Sequence, residues 1–333
     1  MDPSVDRATV PSAVSFESFR RAPLAGSDVR HRNLLLFCLL AALWGSAFMA
    51  IKAGLGTPSA PAYFYEAPVL FAAVRFDVAG AFTFGYGVWA TDRWRPRGRR
   101  EWLLVGVGAV FIIAGYHALL FVGERGTTSA VAAVMVSLSP VLTTGFARAF
   151  LPDERLTLLG LIGLALGLCG VVLLAQPDPD NLAASRFEAL VFCAALSFAF
   201  GSVVTQRLET ALPIETMEAW AMLGGAALMH GLSVGLGESV DGPPPPTAAA
   251  AVAYLALAAS AGGFLIYFTL LDRLGPIEIN LVSYVAPVFA ALAGFLFLAE
   301  GIGLPTVVGF LVILGGFLLI KRRAIRAELV ARG

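Results

Sequence analysis

Lys52 and Arg75 are the cations that fall within long apolar stretches of this 333-residue sequence, and His117 and His230 are the histidines that do. A cation at the centre of an apolar helix costs ~2.5–3.5 kcal/mol to insert, so it is kept for a structural partner or for function. Arg75 lies deep in its stretch, where it either closes a pair inside a helix bundle or captures a substrate carboxylate. Lys52 is nearer the end of its own. It either snorkels to the headgroups, with Glu66 as a partner, or acts in substrate handling at an outer gate. A histidine titrates near pH ~6.5 and can exchange a proton, or it simply hydrogen-bonds a neighbouring helix. Asp77 and Glu218 are the acids placed to join such a relay.

Pro140 and Pro287 each remove a backbone donor and crowd the preceding turn. In a cavity-lining helix the freed carbonyls can face substrate or water, and the prolines then serve as hinges; otherwise they are tolerated kinks. Ser137, Ser139, Asn280, Ser283 and Tyr284 stand close by and offer hydrogen bonds. Other chemistries find no residues. There is no HExxH spacing and no nucleophile motif, which argues against an enzyme, and no GxxxxGK[ST] loop to cradle a nucleotide. Cys38, Cys169 and Cys193 all sit in apolar runs and read as small buried hydrophobes rather than as a disulfide or zinc framework. No cofactor is called for. The formal net charge of zero gives no reason to expect a nucleic-acid partner.

Elements that could position these residues follow from composition. With 58% hydrophobic residues, 14% charged residues and a mean hydropathy of +0.80, the chain lies far outside the soluble range. It reads as an all-α integral membrane protein with ten spans, at about 34–55, 66–90, 102–122, 128–150, 156–175, 187–207, 216–237, 248–271, 277–299 and 304–320. The sequence is also written twice. Glu154 is followed by Gly163 and Gly170, and Glu300 by Gly309 and Gly316 at the same spacings. Pro140 and Pro287 precede the two acids. The chain therefore divides into a disordered tail (1–33), a first five-helix repeat (34–175), a second (187–320) and a basic tail (321–333). Tight packing of the fifth and tenth helices is the plain reading of the four glycines.

Arginine placement gives orientation. Of the 23 Lys and Arg residues, 19 fall in the tails and alternate loops that would share one side. Positive residues stay cytoplasmic, so both termini are expected inside. Five helices per repeat then force the two halves to enter from opposite sides. Inverted repeats of this kind build secondary transporters, with the site near the midplane. Trp89, Trp94 and Trp102 read as an interfacial belt.

Trp44-Gly45-Ser46-Ala47-Phe48 followed by Lys52, Arg75-Phe76 in the second stretch, and the doubled proline–glutamate–glycine pattern resemble the drug/metabolite transporter superfamily, in its ten-helix EamA branch. The resemblance covers nearly all of residues 34–320. The chain also looks similar to the aromatic amino-acid exporters of the YddG type. It departs from the pattern at Glu300, where Gly-Ile-Gly follows in place of a sequence like Arg155-Leu-Thr. The resemblance implies a multi-pass protein of a bacterial inner membrane, contacting lipid. It would export amino acids, aromatic ones among them, and related amphipathic metabolites by alternating access. Drugs or hydrophobic cations are the alternative cargo, and passive facilitation the alternative mode. It further implies that helices five and ten are peripheral and that the other eight surround the substrate. On them the expected substrate residues are Trp44, Ser46, Arg75, Tyr116, His117, Ser137, Phe200, Phe264, Tyr267, Asn280, Ser283 and Tyr284, with Trp220 nearby and hinges at Pro140 and Pro287.

Overall fold

The computed structural model describes residues 26–150, 158–175, 185–208, 210–274, 279 and 281–332. These form α1 (Gly26–Leu55), a hairpin of β1 (Gly56–Thr57) and β2 (Ala60–Pro61), α2 (Pro68–Ala90), α3 (Gly98–Glu124), α4 (Ser129–Phe150) and α5 (Leu158–Ala175). The second half repeats the plan: α6 (Arg186–Leu208), α7 (Ile214–Leu236), α8 (Pro246–Ala253, Tyr254–Gly262 and Gly263–Leu274 in succession), α9 (Val282–Leu298) and α10 (Leu304–Arg332). Among the described residues seven helices, α1–α4 and α6–α8, are long and apolar enough to cross a bilayer. The other three hold shorter apolar stretches, Leu158–Leu173, Val282–Leu298 and Leu304–Leu319, where the sequence reading expects full spans.

Several boundaries differ from expectation for local reasons. Nothing in Gly26–Asn33 breaks a helix, so α1 starts before the apolar run, within the stretch expected to be a disordered tail. Pro68 opens α2, a position where its missing N–H costs nothing. The fourth span is interrupted: one segment ends at Val136, and Ser139 begins the next with Pro140 in its first turn. Pro287, by contrast, sits inside α9 without ending it. The three cysteines are exposed on outer faces rather than buried in the core.

Packing respects the duplication. α1 lies against α9 and α8, and its counterpart α6 lies against α4 and α3; α2 packs on α7, and α5 on α10. Exchanging each helix for the one five places along leaves this pattern unchanged. The α5–α10 crossing shows why the glycines recur. A methyl added at Gly170 would meet the Gly309 carbonyl at 2.8 Å, and one at Gly316 would meet the Gly163 carbonyl at 2.5 Å. Each glycine of one repeat thus faces a glycine of the other, and backbone approach replaces side-chain packing.

The third helix of each half is widened at matching places, over Gly108–Gly115 in α3 and Tyr254–Gly262 in α8. Tyr116 N–H donates to the Phe111 carbonyl and Gly263 N–H to the Ala258 carbonyl, each five residues back. Such π turns put backbone carbonyls off the regular ladder and concentrate at functional sites. Side chains from the first helix of the opposite half reach them: Trp44 Nε1 donates to Ala259 O at 3.1 Å, and Ser197 Oγ to Phe111 O at 2.8 Å.

The two ends of the bundle are built differently. One continuous buried core joins all ten helices; it reaches the end that carries the hairpin, here the lid end, through Leu55, Phe64, Phe71 and Phe121, and runs past mid-span to Leu142, Met222 and Tyr284. At the opposite, arginine-rich end two smaller buried groups lie apart from it among the described residues. One joins α1, α8 and α9 through Leu40, Leu270, Ile279 and Val282. The other joins α3 to the α6–α7 link through Leu104, Val105 and Leu212. A narrow gap lined by Thr83, Tyr86, Glu215, Phe264 and Leu265 lies between α2, α7 and α8.

Candidate functional site

The lid end is held shut by specific contacts. Gly56, at φ +73°, turns the chain after α1 into the hairpin. Beyond it Phe64 stacks on Phe71 (centroids 4.4 Å apart, 2° between planes), and Phe71 meets Phe121 edge-on at 5.2 Å. Tyr63 OH donates to Gly242 O at 2.6 Å, tying the hairpin segment to the α7–α8 link. Both Glu238 oxygens accept from the first turn of α2, at Val69 N and Leu70 N. Glu300 does the same for α4, accepting from Ser129 N at 3.0 Å. In each case a carboxylate from the second half satisfies orphan donors, and meets the positive dipole end, of a helix in the first. Glu300 thus caps across the two halves. Glu154 lies outside the described residues.

Lys52 is buried beneath this seal. Its Nζ donates to the carbonyl oxygens of Glu124 at 2.8 Å and Arg125 at 3.3 Å. These carbonyls end α3 and carry its negative partial charge, so a buried ammonium suits them. The Lys52–Glu66 pair, one of the alternatives open to Lys52, is not what forms. Glu66, 76% exposed, pairs with Arg125 at 3.2 Å, because Lys52 points inward while Glu66 points out. Glu124 itself has no exposed surface, and neither carboxylate oxygen has a hydrogen-bond partner among the described residues.

One to two turns deeper, Arg75, Tyr116 and His117 form a second group. Arg75 Nε donates to Ser260 Oγ of α8 at 3.1 Å, and its guanidinium lies 5.0 Å from the Phe76 ring centre. His117 packs on Phe76, Tyr116 and Phe121, and its Nδ1 bonds the Ile113 carbonyl of its own widened helix at 2.9 Å. His230 is far from this group in contact terms. It pairs with Asp77 at 2.7 Å across α2 and α7, with both side chains nearly half exposed.

Towards the arginine-rich end, Trp44 stacks on Tyr267 (5.5 Å, 29°) and meets Phe264 edge-on at 6.0 Å. Ser46 Oγ hydrogen-bonds Tyr254 OH at 2.6 Å. Trp44, Phe264 and Tyr267 are thus brought together, half-buried, with Glu218 of α7 close enough to act electrostatically on Tyr267, while Ser46 joins α8 separately at Tyr254. Phe200 belongs to a separate aromatic cluster with Phe111, Phe146 and Phe150.

Other expected members lie elsewhere. Ser137 is buried and turns its hydroxyl to Val134 O, serving the break before Pro140. Tyr284 is buried against Phe317 of α10 at 4.4 Å and does not join the other rings. Ser283 is half-buried at the start of α9. Asn280 lies outside the described residues. Trp220 is pinned to the basic loop through Trp94 O at 2.9 Å, and Trp94, Trp102 and Phe84 surround it. Sequence reasoning missed Glu124, Ser260 and Tyr254. Glu124 sits where an apolar run ends and reads as a boundary residue; in the fold it has no exposed surface. No group of three metal-ligating side chains occurs among the described residues.

These features match known proteins. The sequence profile of the EamA-like transporter family matches residues 31–176 and 186–322. The inner membrane transporter YedA of Escherichia coli, itself uncharacterized, is 31% identical over 273 residues, spanning 80% of this chain and 84% of that one. An uncharacterized transporter of Archaeoglobus fulgidus is 25% identical over 294 residues, 88% of this chain and all of that one. A solved structure superposes with a TM-score of 0.61 at 23% identity, covering 90% of this chain and 99% of its own, which shows a shared fold. The chain is a multi-pass membrane transporter rather than an enzyme, and it belongs to the EamA-like family of the drug/metabolite transporter superfamily.

Proposed function

We propose that this protein is a secondary carrier that exports small amphipathic metabolites, amino acids first among them, from a bacterial cytoplasm by alternating access. The observation that carries this reading is the unequal core: the one large group reaches the lid end unbroken, while the arginine-rich end holds two smaller groups apart from each other. A carrier caught with one gate closed and the other parted has this construction. On this reading the ten helices form two inverted halves, 34–175 and 187–320, with both termini and the parted end in the cytoplasm. The half-buried rings of Trp44, Phe264 and Tyr267 supply apolar and π faces, and Glu218 beside them suits a protonated amine. Pro140, at the break in α4, and Pro287 in α9 are the flexing points. Aromatic amino acids fit the rings best.

Uptake of radiolabelled phenylalanine and threonine into proteoliposomes, with and without a pH gradient, tests this. Saturable uptake displaced by unlabelled amino acid is expected. Hydrophobic cations are the second reading, favoured by the same Glu218 and aromatic faces. Phenylalanine methyl ester, which keeps the amine and loses the carboxylate, separates the two: efficient transport of the ester with no transport of phenylalanine would replace the amino-acid reading.

A further inference from the structure

Glu124 is a fully buried carboxyl group that the transport reading above leaves unused. Its neighbours are known from every side. α1 presents Lys52, α2 presents Arg75, and the α9–α10 link presents Glu300; all three act electrostatically on Glu124. On its own helix Arg125 follows it, turned outward to Glu66, and His117 lies about two turns deeper. α4 adds the hydroxyl of Ser129, fully buried and likewise without a hydrogen-bond partner. α6, on the far side of α3, carries Arg186 and Glu188 at this end.

The hydrogen bonding is uneven in an informative way. Lys52 gives its protons to two backbone carbonyls, and Glu300 gives both its oxygens to Ser129 N. Neither neighbour serves the Glu124 carboxylate. A buried carboxylate that accepts no hydrogen bond is held at a cost of several kcal/mol, and the usual escape is to take up a proton. Glu124 has no exposed surface, and Phe121, about one turn away on the same helix, is locked by the Phe71–Phe64 stack, so water gains the carboxyl when the packing of this end loosens.

We propose that this cluster is a proton site: the Glu124 carboxyl carries a proton while the lid end is closed and releases it when the lid end opens to water. Opening then frees one proton, with Lys52 left to pair with the new carboxylate. The sign follows. The closed form is favoured at low pH, the open form at high pH, and in the range where only the open form is ionised the open-to-closed ratio rises up to about tenfold per pH unit. The use of that proton as the exchanged ion of a carrier rests on the proposed transport function; the linkage itself does not.

The test needs no substrate. Full-length protein with Cys38, Cys169 and Cys193 replaced by serine receives a single cysteine by Ala67→Cys, at a fully buried position beside the lid stack, and is reconstituted in nanodiscs. Maleimide labelling is followed from pH 5.5 to 8.5 and corrected for the reagent's own pH dependence with an exposed cysteine at Ser59. Labelling should rise several-fold with pH, whereas Glu124→Gln should be slow and flat. A second reporter, Thr127→Cys, buried at the same end, and a second variant, Glu124→Asp, guard against local disruption; Asp should keep a pH response. An unchanged pH response in folded Glu124→Gln, or a flat response in the parent with both reporters, overturns the proposal. Because labelling is independent of cargo, failed amino-acid uptake with intact pH-dependent labelling would count against the proposed cargo and leave the proton site standing.

Discussion

Replacing Phe71 by alanine should open the lid end. The ring is fully buried, stacked on Phe64 and edge-on to Phe121, and it fills the space left by Gly54, whose absent side chain it would otherwise strike. Truncating such a ring costs about 3–5 kcal/mol in a packed core. The two aromatic partners and the Gly54 contact belong to the sealed lid, so opening forfeits them in the parent but not in the variant. If only half of the loss is specific to the closed form, the difference is about 2 kcal/mol, or roughly a thirtyfold gain in the open-to-closed ratio. Spin labels at Ser59 and Asp241, both exposed and on opposite sides of the Tyr63–Gly242 tie, report the opening by pulsed electron spin resonance distances. A new long-distance population should appear in Phe71→Ala. If the variant loses thermal stability by the full amount while the distance distribution stays that of the parent, Phe71 is ordinary core and the reasoning about a sealed gate fails.

Three further outcomes are expected. Gly316→Val places a side chain against the Gly163 carbonyl at 2.5 Å and the Gly167 nitrogen at 3.0 Å, so α5 and α10 should separate. A lowered Tm in detergent, shared by Gly170→Val, checks this. Ala299 closes α9 at φ 54°, a left-handed conformation that costs a side-chain-bearing residue ~1–2 kcal/mol, so Ala299→Gly should raise stability by about 0.5–1 kcal/mol after the glycine entropy cost. Trp44→Phe keeps a ring against Tyr267 but removes the donor to Ala259 O. It should raise the KM for transported substrate by roughly two- to tenfold, with little change in maximal rate, in the proteoliposome assay.

Much of this protein is written in one dimension. The apolar runs place helices in a bilayer because each uninterrupted stretch must satisfy its own backbone there. The repeated spacing of Glu300, Gly309 and Gly316 after the pattern of Glu154, Gly163 and Gly170 discloses two equivalent halves, and the pairing of each glycine with one from the other half follows from that duplication. What the spacing leaves open is rotation of each helix about its own axis and the meeting of distant segments. Ser137 and Tyr284 carry chemistry and lie near the expected prolines, yet one faces its own backbone and the other faces α10. Lys52 and Glu66 are close in sequence, yet opposite facing directions part them. The widened turns of α3 and α8 have no signature in hydropathy, since a π turn and an α turn bury the same residues. Glu124 shows the division most clearly. Sequence places it at the end of an apolar run, where a carboxylate is ordinarily hydrated, and only tertiary packing, with Lys52, Arg75 and Glu300 converging from remote parts of the chain, removes its water.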